Sequence, residues 1–102
     1  MNDAENILAA IYRAVDWANG DLPTNRRLSK VPETRLLGSP SVLDSMQLVS
    51  LIVAIEREVA DTLGVAVTLA DERALSMEAS PFRTIQTVAE YIQTLVTEQR
   101  NA

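Results

Sequence analysis

The stretch from Ser39 to Val59, SPSVLDSMQLVSLIVAIEREV, decides the fold. Its apolar residues recur at three- and four-residue steps, which predicts a long amphipathic helix that begins at Asp44 or Ser45 and ends at about Leu63, before Gly64. The deepest apolar stripe is predicted to contain Leu48, Ile52, Ile55 and Val59, widened by Val49, Leu51 and Val53. This helix is apolar around more of its circumference than packing against two neighbours requires. We therefore expect part of it to face a partner or a buried ligand.

Two further long helices are predicted, one on each side of this stretch. The first extends from Asp3, which could cap it, to about Ala18, with Ile7, Leu8, Ile11, Val15 and Ala18 on one face. The last is capped by Thr84 and continues to about Gln99, with Ile85, Val88, Ala89, Ile92 and Leu95 on one face. Trp17 and Tyr12 lie on or beside the apolar side of the first helix, where core or edge packing is the expected role.

The connections between these helices are irregular. Residues 21–40 form a predicted loop of about twenty residues, interrupted by prolines and rich in basic side chains, in which Leu28, Leu36 and Leu37 could act as anchors. After Gly64, the segment Val65–Leu69 could be extended, and ADERALSM, Ala70–Met77, reads as one or two helical turns. The sequence thus predicts a single domain over residues 1–102 with an all-α fold: three long helices and one short helix.

Composition excludes several classes of function. The net charge of -5 disfavours nucleic acid and anionic membrane surfaces as partners, and no apolar run is long enough to span a membrane. The chain contains no Cys and no His, so it has no thiolate nucleophile, no Ser-His pair and no imidazole metal ligand. No metal site is predicted, and neither is intrinsic catalysis. A cytoplasmic monomer is the expectation.

The pair Asp44-Ser45 has two interpretations. It could be a plain helix cap, or Ser45 could be an attachment point, because a phosphate esterified at a helix start is stabilised by unpaired N–H groups and by the helix dipole. With no His available and only Asp44 beside it, Ser45 is a better substrate for another enzyme than a nucleophile of its own. The two interpretations are compatible.

LDSMQLVSLIVAIEREV, Leu43–Val59, resembles the phosphopantetheine attachment segment of acyl carrier proteins and related peptidyl carrier domains. FRTIQTVAEYI, Phe82–Ile92, is similar to the last helix of that family, and the resemblance covers roughly residues 36–96. It implies a four-helix bundle of the acyl-carrier type, with a long loop between its first two helices.

The resemblance also implies roles for individual residues. Ser45 would carry a covalent 4'-phosphopantetheine arm, Asp44 would contact the phosphopantetheinyl transferase, and Met46, where the family usually has Leu, would keep an adaptable apolar contact. The thiol of the arm would hold acyl groups as thioesters. Partners would be the transferase, an acyl-loading ligase or acyltransferase, and acyl-processing enzymes of fatty acid biosynthesis or other lipid metabolism.

The outer face of the second helix would be the docking surface for these partners. Its residues are Gln47, Val49, Ser50, Val53, Glu56 and Arg57. Gln47, Ser50 and Arg57 stand where fatty-acid carriers often have acids, which favours a specialised lipid or secondary-metabolite pathway with its own partners. The segment between Gly64 and Phe82 is longer than in the housekeeping carriers.

A function of another class remains open from the sequence. The chain could be a small helical adaptor whose groove binds a partner helix without any prosthetic group. That alternative explains the apolar excess of the second helix equally well, but it leaves the Ser at the helix start without a role. A carboxylate enzyme is disfavoured, because no acid pair clusters on an apolar wall.

Overall fold

The computed structural model describes residues 2–24, 27–36, 43, 45–69 and 81–101, and this part of the chain folds as a compact all-α globule. Three helices form it: α1 is Asp3–Asn19, α2 is Ser45–Leu63 and α3 is Ile85–Arg100. Within those ranges there is no β-strand, and β pairing is limited to an isolated antiparallel bridge between Arg35 and Thr84. The predicted helical turns within Ala70–Met77 lie outside the described residues.

The bounds of α2 agree with those predicted from its apolar spacing. The helix ends at Leu63, and Gly64 follows with φ of 67°, the left-handed conformation that a residue with a side chain adopts only at a cost. The buried residues of α2 are Leu51, Ile52, Ile55 and Val59. Leu48, predicted in the deepest stripe, is only half-buried, whereas Leu51 is fully buried. The centre of the buried face of α2 is therefore closer to Leu51 than to Leu48, which the apolar spacing had placed in the deepest stripe.

The starts of α1 and α3 are capped by side chains. Thr84 caps α3 as predicted, accepting a hydrogen bond from the Thr87 backbone N–H at 3.1 Å while the Thr87 hydroxyl accepts one from the Thr84 N–H. The predicted cap of α1 was wrong by one residue. Asn2 provides it, accepting from the Glu5 N–H at 2.8 Å, and Asp3 is the first helical residue.

The long connection after α1 is anchored at two places. The side chain of Asn19 both accepts from the Leu28 N–H at 2.8 Å and donates to the Leu28 carbonyl at 3.0 Å. Further along, the Leu36 N–H donates to the Arg83 carbonyl at 2.7 Å, and the Ile85 N–H donates to Thr34. Leu28 and Leu36 are buried, which confirms their predicted anchoring role, while Leu37 lies outside the described residues.

Helix α1 packs against both other helices and runs antiparallel to each. Arg13 binds Glu58 near the end of α2, whereas Trp17 lies beside Met46 near its start. Asp3 likewise pairs with Arg100 at the end of α3. The amino-terminal ends of α2 and α3 therefore lie at the same end of the molecule.

The segment after α2 is held between α2 and α3. Val67 and Leu69 are buried in the core, although the segment, which could be extended according to the sequence, forms no strand. The Leu69 N–H donates to the Glu56 carboxylate at 2.6 Å, and the Gln99 side chain donates to the Ala66 carbonyl at 2.7 Å. Side chains of the helices thus satisfy polar backbone groups that a β-ladder would otherwise pair.

Candidate functional site

The start of α2 forms the candidate site, and Ser45 is the first residue of that helix. The first N–H groups of an α-helix lack partners within the helix, and the dipole places partial positive charge there. A backbone position of this kind favours a phosphate group. Asp44 and the side chain of Ser45 lie outside what the structure describes, so their predicted roles stay predictions.

Helix α2 exposes an apolar face immediately after Ser45. Met46 is 81% exposed, Val49 54% and Val53 44%, and their three- and four-residue spacing puts them on one side of the helix. Contiguous apolar surface on a soluble protein often marks an interaction site. The predicted apolar excess of this helix is therefore present in the structure, and it lies on the side that faces away from the core.

Trp17 of α1 extends this surface across the helix interface. Its side chain is 56% exposed, and with Ser50 it lines two neighbouring clefts between α1 and α2. The expectation for Trp17 was core or edge packing; its side chain is not in the buried core and lies at the edge, where α1 meets α2. Tyr12, by contrast, is half-buried and packs against the core as expected. We use the name apolar patch for Trp17, Met46, Val49 and Val53.

The first of the two clefts is the one next to Ser45. It has a volume of about 150 Å³, and its walls include Trp17, Leu22, Leu43 and Met46. Its polar lining is contributed by Asp21, Gln47 and Ser50. The second cleft, of about 130 Å³, continues from Trp17 and Ser50 toward Val53, Arg57 and Glu58.

The predicted docking residues fall into two groups in the structure. Gln47, Ser50, Val53 and Arg57 line the two clefts, and Val49 belongs to the apolar patch. Glu56 differs, because its carboxylate accepts the hydrogen bond from the Leu69 N–H. Glu56 therefore holds the segment after α2 against this helix, whether or not a partner also contacts it.

Charges around the patch are mixed. Arg13 forms an ion pair with Glu58 at 3.1 Å and also donates to Thr62, beyond the far end of the patch. Lys30 pairs with Asp16 at 3.1 Å, one residue before Trp17. Arg57 is exposed and forms no ion pair with any residue in the described ranges. The surface thus offers a cation beside apolar side chains, and the acids Glu56 and Glu58 of this part of α2 have partners within the fold.

Sequence reasoning missed the cleft itself. Leu22 and Asp21 come from the turn after α1 and Leu43 from the residues before α2, and neither segment has a periodicity that assigns it to a site. A usable signal was the position of Trp17, which lies about 100° around the helix from Ala18. Because of this offset, Trp17 lies beside the buried stripe of α1, on the side that faces α2.

Two features that would suggest other kinds of site do not occur in the described part of the chain. No group of three or more His, Cys, Asp or Glu residues is arranged to hold a metal ion there. Nor does any described helix have the combination of length and hydropathy needed to cross a membrane.

Comparison with known proteins gives no match among family models, curated proteins or solved structures. The resemblance to carrier proteins therefore rests on the residues and the helix positions given above.

Proposed function

We propose that this chain is an acyl carrier protein whose Ser45 carries 4'-phosphopantetheine. The observation that carries the proposal is that α2 begins at Ser45 and exposes an apolar face from the next residue onward. An attachment point and a docking surface for the enzymes that act on the attached group are then adjacent. A plain helix cap would need no such surface.

The attachment chemistry suits the backbone at this position. The Ser45 hydroxyl would attack the phosphorus of coenzyme A that bears pantetheine, the bond from that phosphorus to the bridging oxygen would break, and adenosine 3',5'-bisphosphate would leave. Because the chain has no His, the transferase would have to accept the hydroxyl proton. The resulting phosphodiester keeps one negative charge at the amino-terminal end of α2, where the helix dipole favours it.

The arm would supply what the chain lacks. With no Cys, the protein has no thiol of its own, and the thiol of the arm would hold acyl groups as thioesters. A tethered group reaches successive active sites at a high effective concentration, typically in the mM range for short flexible linkers. The chain itself would be a carrier and not an enzyme.

The proposal also includes the fold of the whole chain and the roles of the residues around Ser45. A fourth, short helix between α2 and α3 would make the globule a four-helix bundle of the acyl-carrier type. Asp44 would contact the transferase, and Met46, Gln47, Val49, Ser50, Val53 and Arg57 would contact the loading and processing enzymes, with Glu56 at the edge. The mixed charge of this surface favours a specialised lipid or secondary-metabolite pathway in the cytoplasm.

The apolar patch also favours a second candidate, a helical adaptor without a prosthetic group. Met46, Val49 and Val53 have the spacing with which one helix lies along another. In that case a partner helix would bind the patch and Ser45 would only begin the helix.

The deciding experiment measures the intact mass of the protein after incubation with coenzyme A and a broad-specificity phosphopantetheinyl transferase. The carrier proposal expects a gain of one phosphopantetheinyl group in the wild type and none in Ser45→Ala. Ser29→Ala is the matched control, because Ser29 is an exposed Ser outside α2 and outside the proposed docking surface, and it should be modified like the wild type.

Absence of a mass gain with several transferases, while circular dichroism reports an intact helical fold, would overturn the carrier proposal. The adaptor would then be the better explanation of the apolar patch, and Ser45→Ala should leave partner binding unchanged.

A further inference from the structure

The only Trp of the chain lies half-exposed beside the start of α2. Burial of a large apolar side chain stabilises a fold, so the exposed part of the Trp17 indole forgoes some of that stabilisation. The indole instead lines the 150 Å³ cleft, together with Met46 of α2. An amphipathic ring at the mouth of a small cleft is suited to contact a ligand.

The size of the cleft limits what can occupy it. A cavity of about 150 Å³ holds a benzene-sized group. A long acyl chain, or a turn of a partner helix with its side chains, would extend well beyond these walls. A short branched apolar fragment with polar groups on either side fits both the volume and the lining.

We infer that this cleft binds the proximal part of the phosphopantetheine arm, so that the arm folds back between α1 and α2. The inference rests on the proposed function, which places the arm on Ser45. Met46 lines the cleft and directly follows Ser45 along the chain, so the backbone position that would bear the arm is one residue from the cleft. A tethered group needs little intrinsic affinity, because its effective concentration at the cleft is high.

The chemistry of the arm matches the lining of the cleft. Next to its phosphate the arm carries a carbon with two methyl groups, which the apolar walls formed by Trp17, Leu22 and Met46 can cover. A hydroxyl and two amides follow along the arm. The Ser50 hydroxyl and the Asp21 carboxylate line the same cleft and can accept hydrogen bonds from them.

Trp17 provides the test, because as the only Trp it reports all indole emission. We expect phosphopantetheinylation to shift the emission maximum to shorter wavelength and to lower the acrylamide quenching constant about twofold, as for an arm docked about half of the time. Intact mass, measured on the same samples, reports whether the arm is attached.

A second measurement uses a spin label on the thiol of the arm. Trp17→Ala should leave the mass gain unchanged and make the label more mobile, since it removes one wall of the cleft. Gln86→Ala is the control: Gln86 is exposed and lines a separate groove between α1 and α3, so label mobility should stay at the wild-type value.

The outcomes separate this inference from the proposed function. A mass gain with unchanged Trp17 quenching and unchanged label mobility overturns the inference and leaves the carrier intact. No mass gain in folded protein overturns both. If Trp17 quenching falls only when the protein concentration is raised, the cleft binds a second copy of the chain. If it falls only when a partner enzyme is added, the cleft binds that enzyme. Either result overturns the inference.

Discussion

Helices α2 and α3 are both amphipathic, but they use their apolar residues differently. In α3, Ile85, Val88, Ile92 and Val96 are fully buried, and its other aliphatic residues, Ala89 and Leu95, are partly buried against the core. In α2, a comparable set of four residues is buried, yet Met46, Val49 and Val53 are exposed on another side. The core accounts for every aliphatic residue of α3 and for only part of those of α2.

This difference distinguishes stabilising residues from residues available for binding. Exposed apolar side chains on one helix face add little to the free energy of unfolding, because they remain in contact with water in the folded state. The same side chains can contribute to the affinity for a partner. The part of α2 that is unexplained by folding therefore coincides with the candidate site, next to Ser45.

The largest effect on stability is expected from a substitution in the buried face of α2. Ile55→Ala should lower the free energy of unfolding by about 2–5 kcal/mol, since it removes fully buried methyl and methylene groups and leaves a cavity. Urea denaturation followed by circular dichroism measures this change. The matched control is Val53→Ala, two residues away on the exposed side, which should stay within about 0.5 kcal/mol of the wild type. Equal losses in the two variants would contradict the division of α2 into two faces.

An intermediate effect is expected at Glu56, which lies between the two faces. Glu56→Ala removes the acceptor of the Leu69 N–H and should cost about 1–2 kcal/mol, because hydrogen bonds to charged groups are among the stronger ones. Hydrogen exchange should show the Leu69 amide becoming less protected than in the wild type. Asp61→Ala, an exposed acid on the same helix, is the control for the loss of one negative charge. If the free energy of unfolding falls equally in both variants, the hydrogen bond from the Leu69 N–H does not contribute to stability.

The smallest effect on stability, and the most specific effect on binding, is expected at the exposed face. Val49→Ser and Val53→Ser should each change the free energy of unfolding by no more than about 0.5 kcal/mol. Under the carrier proposal, each should weaken binding to a loading or processing enzyme about tenfold, which corresponds to about 1.4 kcal/mol, measured by calorimetry or surface plasmon resonance. Thr94→Ser, on an exposed position of α3, serves as the control and should bind like the wild type. Unchanged affinity in both Val variants would remove the apolar patch from the docking surface.

The positions of the three long helices were predictable because their signals are local. Apolar spacing, Gly64 with its left-handed conformation and the Thr84 cap all act within a few residues along the chain. The error at the start of α1 is of the same local kind, since Asn2 and Asp3 are both good capping residues and the spacing does not choose between them.

Contacts between distant segments could not be predicted in this way. The Asn19 side chain binds the backbone of Leu28, and Glu56 binds the N–H of Leu69, across separations that no periodic pattern encodes. Glu56 was assigned to the docking surface from the sequence because it was placed on the outer face of the second helix. Its hydrogen bond depends on where the segment after Gly64 is packed, which is a property of the whole fold.

The sequence by itself determined that the chain forms amphipathic helices, that one of them begins at Asp44 or Ser45 and that this helix has more apolar residues than a core needs. Those properties follow from backbone geometry and from the spacing of side chains along one helix. Only the tertiary structure decided which apolar residues stay exposed and that Trp17 meets Met46 across a cleft of about 150 Å³. The physical reason is that exposure depends on how α1 and α2 are rotated against each other, and that rotation is fixed by packing of the whole core.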